Sequence, residues 1–194
     1  MAKNGALLVL FGIGALALLT SETAGASAAT TWFSDLFEGP PVIPLEQQPP
    51  SLQAKIEAML ATIRIFESDD DYTVIYGGGH FSDFSQHPNR RVPINLPGYE
   101  GKFSTAAGAY QINYPTYKEF ARKAQVTDFS PASQDAIAYA LLIDSGAVSR
   151  LTVEDIAEAF RLASRRWASL PGSTANQHPQ PLQYALDTYA LNLA

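Results

Sequence analysis

Residues 63–88, IRIFESDDDYTVIYGGGHFSDFSQHP, hold five carboxylates: Glu67, Asp69, Asp70, Asp71 and Asp83. A carboxyl group can act as a general acid or base, provided its surroundings set its protonation. Glu67 follows Phe66 and stands four residues after Ile63, where an apolar stripe ends. Its side chain can lean on apolar surface at the negative end of a helix, and both effects raise a carboxyl pKa. The alternative is a solvated helix-end glutamate, which position alone favours. Asp69, Asp70 and Asp71 are consecutive, so their side chains diverge and cannot all serve one centre. They read as a solvated helix stop, because the EF-hand alternation and distal glutamate are missing. Asp83 lies between Phe81 and Phe84 and could orient a sugar hydroxyl or tie down a hairpin.

Other chemistries lack their residues. The chain has no cysteine, which excludes thiol nucleophiles, disulfides and thiolate-bound zinc. His80, His87 and His178 lack the spacing of a helical zinc site, and there is no nucleophile elbow. The glycine run 77–79 is not followed by the lysine and helix of a phosphate loop. A carboxylate enzyme needing neither metal nor cofactor remains, or no enzyme.

The aromatic side chains Tyr72, Tyr76, Phe81, Phe84, Tyr99, Phe103 and Tyr110 fall in the irregular part of the chain. Sugar rings stack on such faces while amides and carboxylates take their hydroxyls, and Gln111 and Asn113 stand beside Tyr110. Plain hairpin packing is the alternative for each ring.

The elements that must position these groups follow from periodicity and punctuation. Leu52, Ile56, Met59, Leu60, Ile63 and Phe66 recur at spacings of three and four, which predicts a helix from an N-cap at Ser51 to about Glu67. YTVIY reads as a strand, GGG as a turn and HFSDF as the returning strand. Residues 91–112 read as loop and short strand, ending in a turn into a helix. Helices are then expected over 116–124 after Pro115, over 132–146 capped by Ser130 and stopped at Gly146, and over 153–170 capped by Thr152. One more is expected over 181–193. The predicted fold class is α+β, mainly helical, with a small β-hairpin inserted after the first helix.

The N-terminal quarter has a different character. Fifteen apolar residues, 5–19, precede the small-residue run Ala24–Ala28. Residues 1–29 thus read as a secretory signal or signal-anchor that meets the inner membrane, too short for an ordinary spanning helix. Residues 30–50 carry five prolines from Pro40 to Pro50 and read as an extended linker. The folded domain is expected over 51–194. Thirteen basic against nineteen acidic residues give a net charge of -6, which argues against nucleic acid as a partner.

Taken in order, FESDDDYTVIYGGGHFSDFSQHP, STAAGAYQI, DFSPASQDAIA, GAV and WASLPG resemble the phage lambda lysozyme-like lytic transglycosylases, a family of wall-degrading endolysins. The resemblance spans about Ile56 to Gly172. It implies a lysozyme-like fold and cleavage of the β-1,4 bond between N-acetylmuramic acid and N-acetylglucosamine, with closure of a 1,6-anhydro ring. Glu67 matches the family's single catalytic acid, Asp83, Tyr110 and Gln111 fall in the glycan cleft, and Trp167 with Pro171-Gly172 resembles the segment supporting its far wall. Tyr72 and Tyr76 join the expected sugar-binding set. The implied partner is the peptidoglycan glycan strand, in the periplasm of a host bacterium, with a virion-borne setting as the other delivery route. Two rival readings stay open: a hydrolytic lysozyme that uses water, and a non-catalytic wall-binding or virion structural protein. The chain departs from the family in its apolar leader and in STANQHPQP after WASLPG, which lacks a wall-lining tyrosine.

Overall fold

The computed structural model describes residues 42–95, 98–174 and 179–194, all within one compact unit beginning at Pro40. The apolar segment 5–19, its cleavage positions and the first half of the linker lie outside the described residues. No described helix is long and apolar enough to cross a membrane.

Helix α1 spans Pro50–Ser68 and buries Ile56, Met59, Leu60 and Ile63. It starts one residue before the expected cap. Pro50 occupies its first turn, where a missing N–H costs nothing, and no side chain caps it. The linker also ends sooner than its prolines suggest. Leu45–Gln47 form one 3-10 turn, Val42 and Leu45 pack on the core, and Gln48 Nε2 donates to the Tyr139 hydroxyl at 2.9 Å. Apolar residues between the prolines give this stretch something to bury.

Two small antiparallel hairpins follow. Strand β1, Val74–Ile75, pairs with β2, Gly79–His80, and β3, Val92–Pro93, pairs with β4, Phe103–Ser104. Gly77 and Gly78 make the first turn at φ of 89° and 88°. The returning strand expected through Phe84 stops at His80, because Phe81 turns inward against Phe84 and Phe129, with ring centroids at 5.2 and 5.8 Å. The chain after β4 comes back to the first hairpin. Gly108 N–H donates to Val74 C=O at 2.7 Å and Tyr76 N–H to Ala106 C=O at 2.9 Å.

Five helices complete the unit: α2 Tyr114–Lys123, α3 Pro131–Ser145, α4 Ala147–Leu151, α5 Ile156–Ala163 and α6 Leu182–Leu193. Ser130 caps α3 by accepting from the Ser133 amide, and Gly146 ends it at φ 83°. The helix expected over 153–170 is shorter, and Thr152 does not cap it. Thr152 closes α4, Asp155 caps α5 by accepting from Glu158 N–H, and α5 ends at Ala163. Beyond it, turns bury Trp167 and Leu170 and bring Ser169 to the Glu67 carboxyl. Helices α1 and α6 pack on each other, and the core gathers Phe120, Ile137, Leu142, Leu151 and Phe160 around Ile56, Met59 and Ile63.

Candidate active site

Glu67 occupies the last turn of α1, where the apolar stripe gives out. Phe66 beside it stacks on Tyr184 with centroids 5.4 Å apart. The Glu67 carboxyl is largely desolvated, which pushes its pKa up; two donors from Ser169, the hydroxyl to Oε1 and the main-chain amide, pull the other way. The result is a carboxyl group kept above its ordinary range whose ionised form is nevertheless provided with hydrogen bonds.

The helix stop beyond Glu67 is built from the three aspartates, each with its own task. Asp69 and Asp70 take left-handed backbone at φ 55° and 64°, and their amides close on the carbonyls of Ile65 and Arg64. Asp70 also accepts from Arg64 Nε at 2.5 Å. Asp71 accepts from the Thr73 amide and hydroxyl at 2.7 and 2.6 Å and meets His80 Nε2 at 3.0 Å. Those bonds hold its carboxyl below the usual range. None of the hydrogen bonds described for these three reaches Glu67.

Behind Glu67 stands a polar cluster. The Tyr72 and Tyr110 hydroxyls both donate to Asp135 Oδ1, at 2.8 and 2.6 Å, while Arg64 Nη1 donates to the Tyr110 oxygen at 3.0 Å. Arg64 lies one turn before Glu67 on α1. Tyr110 C=O accepts from Trp167 Nε1 at 3.1 Å, and Trp167 begins the turn that delivers Ser169. The helix bearing Glu67 and the loop bearing its donor are therefore tied through Tyr110.

A buried glutamine frames the same region. Gln134 Oε1 accepts from Ala109 N–H at 2.9 Å, and Nε2 donates to the carbonyls of Phe129 at 2.9 Å and Tyr72 at 3.1 Å. Gly108 lies so close that a Cβ there would stand 2.0 Å from Gln134 Oε1, and its φ is 75°. Only glycine fits that contact. His87 is buried as well, with Nε2 bonded to Ile112 C=O at 2.8 Å and Nδ1 accepting from Asn89 N–H at 3.0 Å. This bonding makes it the neutral tautomer, and burial lowers its pKa.

The structure sorts the expected sugar-binding residues. Tyr110 is fully buried, so its side chain cannot meet a glycan; its part is to hold Arg64, Asp135 and the Trp167 turn. Tyr72 is half-buried with its hydroxyl committed to Asp135 and its ring 5.6 Å from the Arg64 guanidinium. Tyr76 keeps a partly exposed ring on the first turn. Asp83 is exposed and accepts from Ser85 N–H at 2.9 Å, the bond of a side chain closing its own turn. Gln111 takes left-handed backbone at φ 46°, with Nε2 on Gly108 C=O at 3.0 Å. Arg64, Asp135, Gln134 and Ser169 were not singled out by sequence reasoning. Arg64 could have been found from its spacing, one turn from Glu67 on the same helix; the other three have no local pattern. Among the described residues no group of His, Asp and Glu side chains is arranged to hold a metal ion.

The chain as a whole resembles known proteins. The endolysin family model matches residues 57–194. The endolysin of Escherichia phage lambda is 39% identical over 106 residues, 55% of this chain and 65% of that protein. That of Escherichia phage P2 is 34% identical over 104 residues, 53% of this chain and 63% of its own length. The chain thus spans a little under two thirds of the length of these curated relatives. The fold resembles bacteriophage lambda lysozyme complexed with a chitohexasaccharide, with a TM-score of 0.65 and 30% identity over 72% of this chain and 94% of that one. A second lambda lysozyme structure gives 0.57 and 28% over 75% and 94%. These neighbours place the domain in the lysozyme-like α+β class, and the chain belongs to the endolysin family.

Proposed function

We propose that this chain cleaves peptidoglycan as a lytic transglycosylase, with Glu67 as its one acid and base. The observation that carries the reading is the Glu67 carboxyl, desolvated and met by two donors from Ser169, while Asp70, Asp71 and Asp83 are each engaged elsewhere. In the reaction Glu67 gives its proton to the glycosidic oxygen between N-acetylmuramic acid and N-acetylglucosamine as the bond from C1 breaks. The C6 hydroxyl of the muramic sugar then bonds to C1, and its proton passes to the Glu67 carboxylate. The acid is regenerated and no water is consumed, so a second carboxylate, which most glycosidases need, is not required. Tyr76, Asp83 and Gln111 are the remaining candidates for sugar contact, and residues 5–19 would bring the enzyme to the inner membrane and its domain to the host periplasm. The likeness to a lysozyme complexed with a chitohexasaccharide supports a glycan as ligand.

The test is a digest of purified peptidoglycan followed by mass spectrometry. Anhydro ends are expected; products heavier by one water would instead assign a hydrolytic lysozyme. Wall pulled down with no cleavage by the wild type would assign a binding protein. Sequencing the mature N-terminus in the same preparation decides between cleavage near Ala26 or Ala28 and retention of Met1.

A further inference from the structure

The chain is acidic overall, yet among the described residues Arg91 and Lys102 of its second hairpin form no ion pair with a carboxylate. Five described cations elsewhere have carboxylate partners: Lys55 with Glu154, Arg64 with Asp70, Lys123 with Glu119, Arg161 with Glu158 and Arg166 with Asp144. On the hairpin, Arg91 and Lys102 have aromatic rings instead. The Arg91 guanidinium stands 4.5 Å from the Phe103 centroid and Lys102 Nζ 5.0 Å from that of Tyr99. A ring face orients a cation without neutralising it, so the charge stays available to an incoming anion.

Lys102 lines a groove of about 460 Å³ together with Pro93, Ile94, Glu100 and Phe103 among others, and Arg91 lies against the Phe103 ring at its edge. Phe103 is 46% exposed and presents an apolar ring beside the two cations. Glu100, the one acid in the groove, is already occupied, its carboxylate accepting from Gly98 N–H at 2.9 Å. Main-chain bonding between Ile94 N–H and Lys102 C=O, at 3.0 Å, holds the two sides of the hairpin together. The hairpin abuts the one that follows Glu67, since a Cβ on Gly77 would stand 3.3 Å from Val92 Cγ1.

We propose that this groove binds the stem peptide of the wall polymer, with Arg91 and Lys102 taking its free carboxylates and Phe103 covering its apolar side chains. The proposal rests on the reading of peptidoglycan as substrate. In that polymer the sugar backbone is neutral, because the lactyl carboxyl of each muramic residue is amide-linked to the peptide. Unneutralised cations beside a glycan cleft would therefore have no partner on the sugars; the stem carries the negative charge. An acidic enzyme acting on an anionic wall needs local positive charge of this kind to offset repulsion.

The experiment compares two soluble glycan polymers, one with stems intact and one stripped of them by an amidase and with the lactyl carboxyls so freed capped as methylamides, as ligands for the full chain carrying Glu67→Gln. The parent is expected to bind the peptide-bearing strands more tightly. Adding Arg91→Gln and Lys102→Gln should weaken that binding about tenfold, the sum of two partly exposed charge pairs, and leave binding to stripped strands unchanged. The charge-keeping pair Arg91→Lys and Lys102→Arg should restore most of the loss. Equal affinity of the parent for both polymers, or an equal loss on both, overturns the proposal. Product analysis with the wild type is a separate arm: failure to cut either polymer refutes the catalytic reading, whatever the binding arm returns.

Discussion

Ser169→Ala is the sharpest test of how Glu67 is set. The hydroxyl donates to the carboxyl from a loop 102 residues away in sequence, and the main-chain amide of the same residue donates too. Both favour the carboxylate. Removing one donor therefore raises the Glu67 pKa further, toward the value that desolvation alone would impose. A hydrogen bond to a charged acceptor contributes about 1.5–3 kcal/mol. With the amide left in place the lower end applies, and at 1.36 kcal/mol per pH unit the change is about one pH unit. Glu67 must be protonated to act as an acid, so activity falls as pH rises through its pKa. The alkaline limb of the pH–rate profile should move up by about one pH unit. The plateau rate should fall up to about tenfold, because the carboxylate left after proton transfer has lost a donor. The assay is initial muropeptide release against pH, beside circular dichroism to show that the variant is folded. Ser169→Thr, which keeps the hydroxyl, should leave the limb in place. A limb that stays or moves to lower pH in a folded Ser169→Ala protein refutes the reasoning.

Three other outcomes follow from the same geometry. The raised pKa of Glu67 means that the folded state contributes stability below the unfolded value, about 4.3, and loses it as pH rises through the folded one; Glu67→Gln should therefore melt a few degrees above wild type at pH 7 and converge with it near pH 4. His87 has the opposite sign: its neutral, buried ring contributes stability that is fully present above the unfolded value, about 6.5, and is lost as pH falls from there through its lower folded value. Melting curves should show His87→Gln with a lower midpoint at pH 7 but a flatter decline toward pH 5, and an unchanged slope would remove His87 as the acid-sensitive group. Gly108→Ala forces a Cβ within 2.0 Å of Gln134 Oε1 at a φ of 75°, a cost of about 3 kcal/mol, which in a chain of this size lowers the midpoint by about 10 °C; a change under about 2 °C would mean that Gln134 can move aside.

The helices were legible where sequence carried both a period and a stop. Ser130 with Gly146 bracketed α3 correctly because capping and left-handed termination act locally. The segment after Thr152 failed for the opposite reason: its apolar residues continue at helical spacing through Leu170, yet burying Trp167 and presenting Ser169 to Glu67 required turns. Glu67 itself was visible as the end of an apolar stripe, but what distinguishes it from a solvated glutamate is a donor on another element. Tyr110 shows the limit of reasoning from residue type. A tyrosine beside Gln111 and Asn113 suggested sugar stacking, whereas its ring is core and its hydroxyl serves Arg64 and Asp135. The second hairpin, two residues per strand with Pro93 in one of them, has no propensity signal to find.

Gln134 carries a consequence for the conditions under which the fold around Glu67 holds. It joins the start of the first hairpin, the loop before α3 and the turn at Ala109 with one uncharged amide. An amide does not titrate, and its hydrogen bonds are not screened by mobile ions as the exposed ion pairs of the surface are. High salt or mild acid would therefore loosen pairs such as Lys55–Glu154 while leaving the frame behind Glu67 in register. The joint at Gln134 thus keeps its geometry across a range of ionic strength that the surface pairs would not survive.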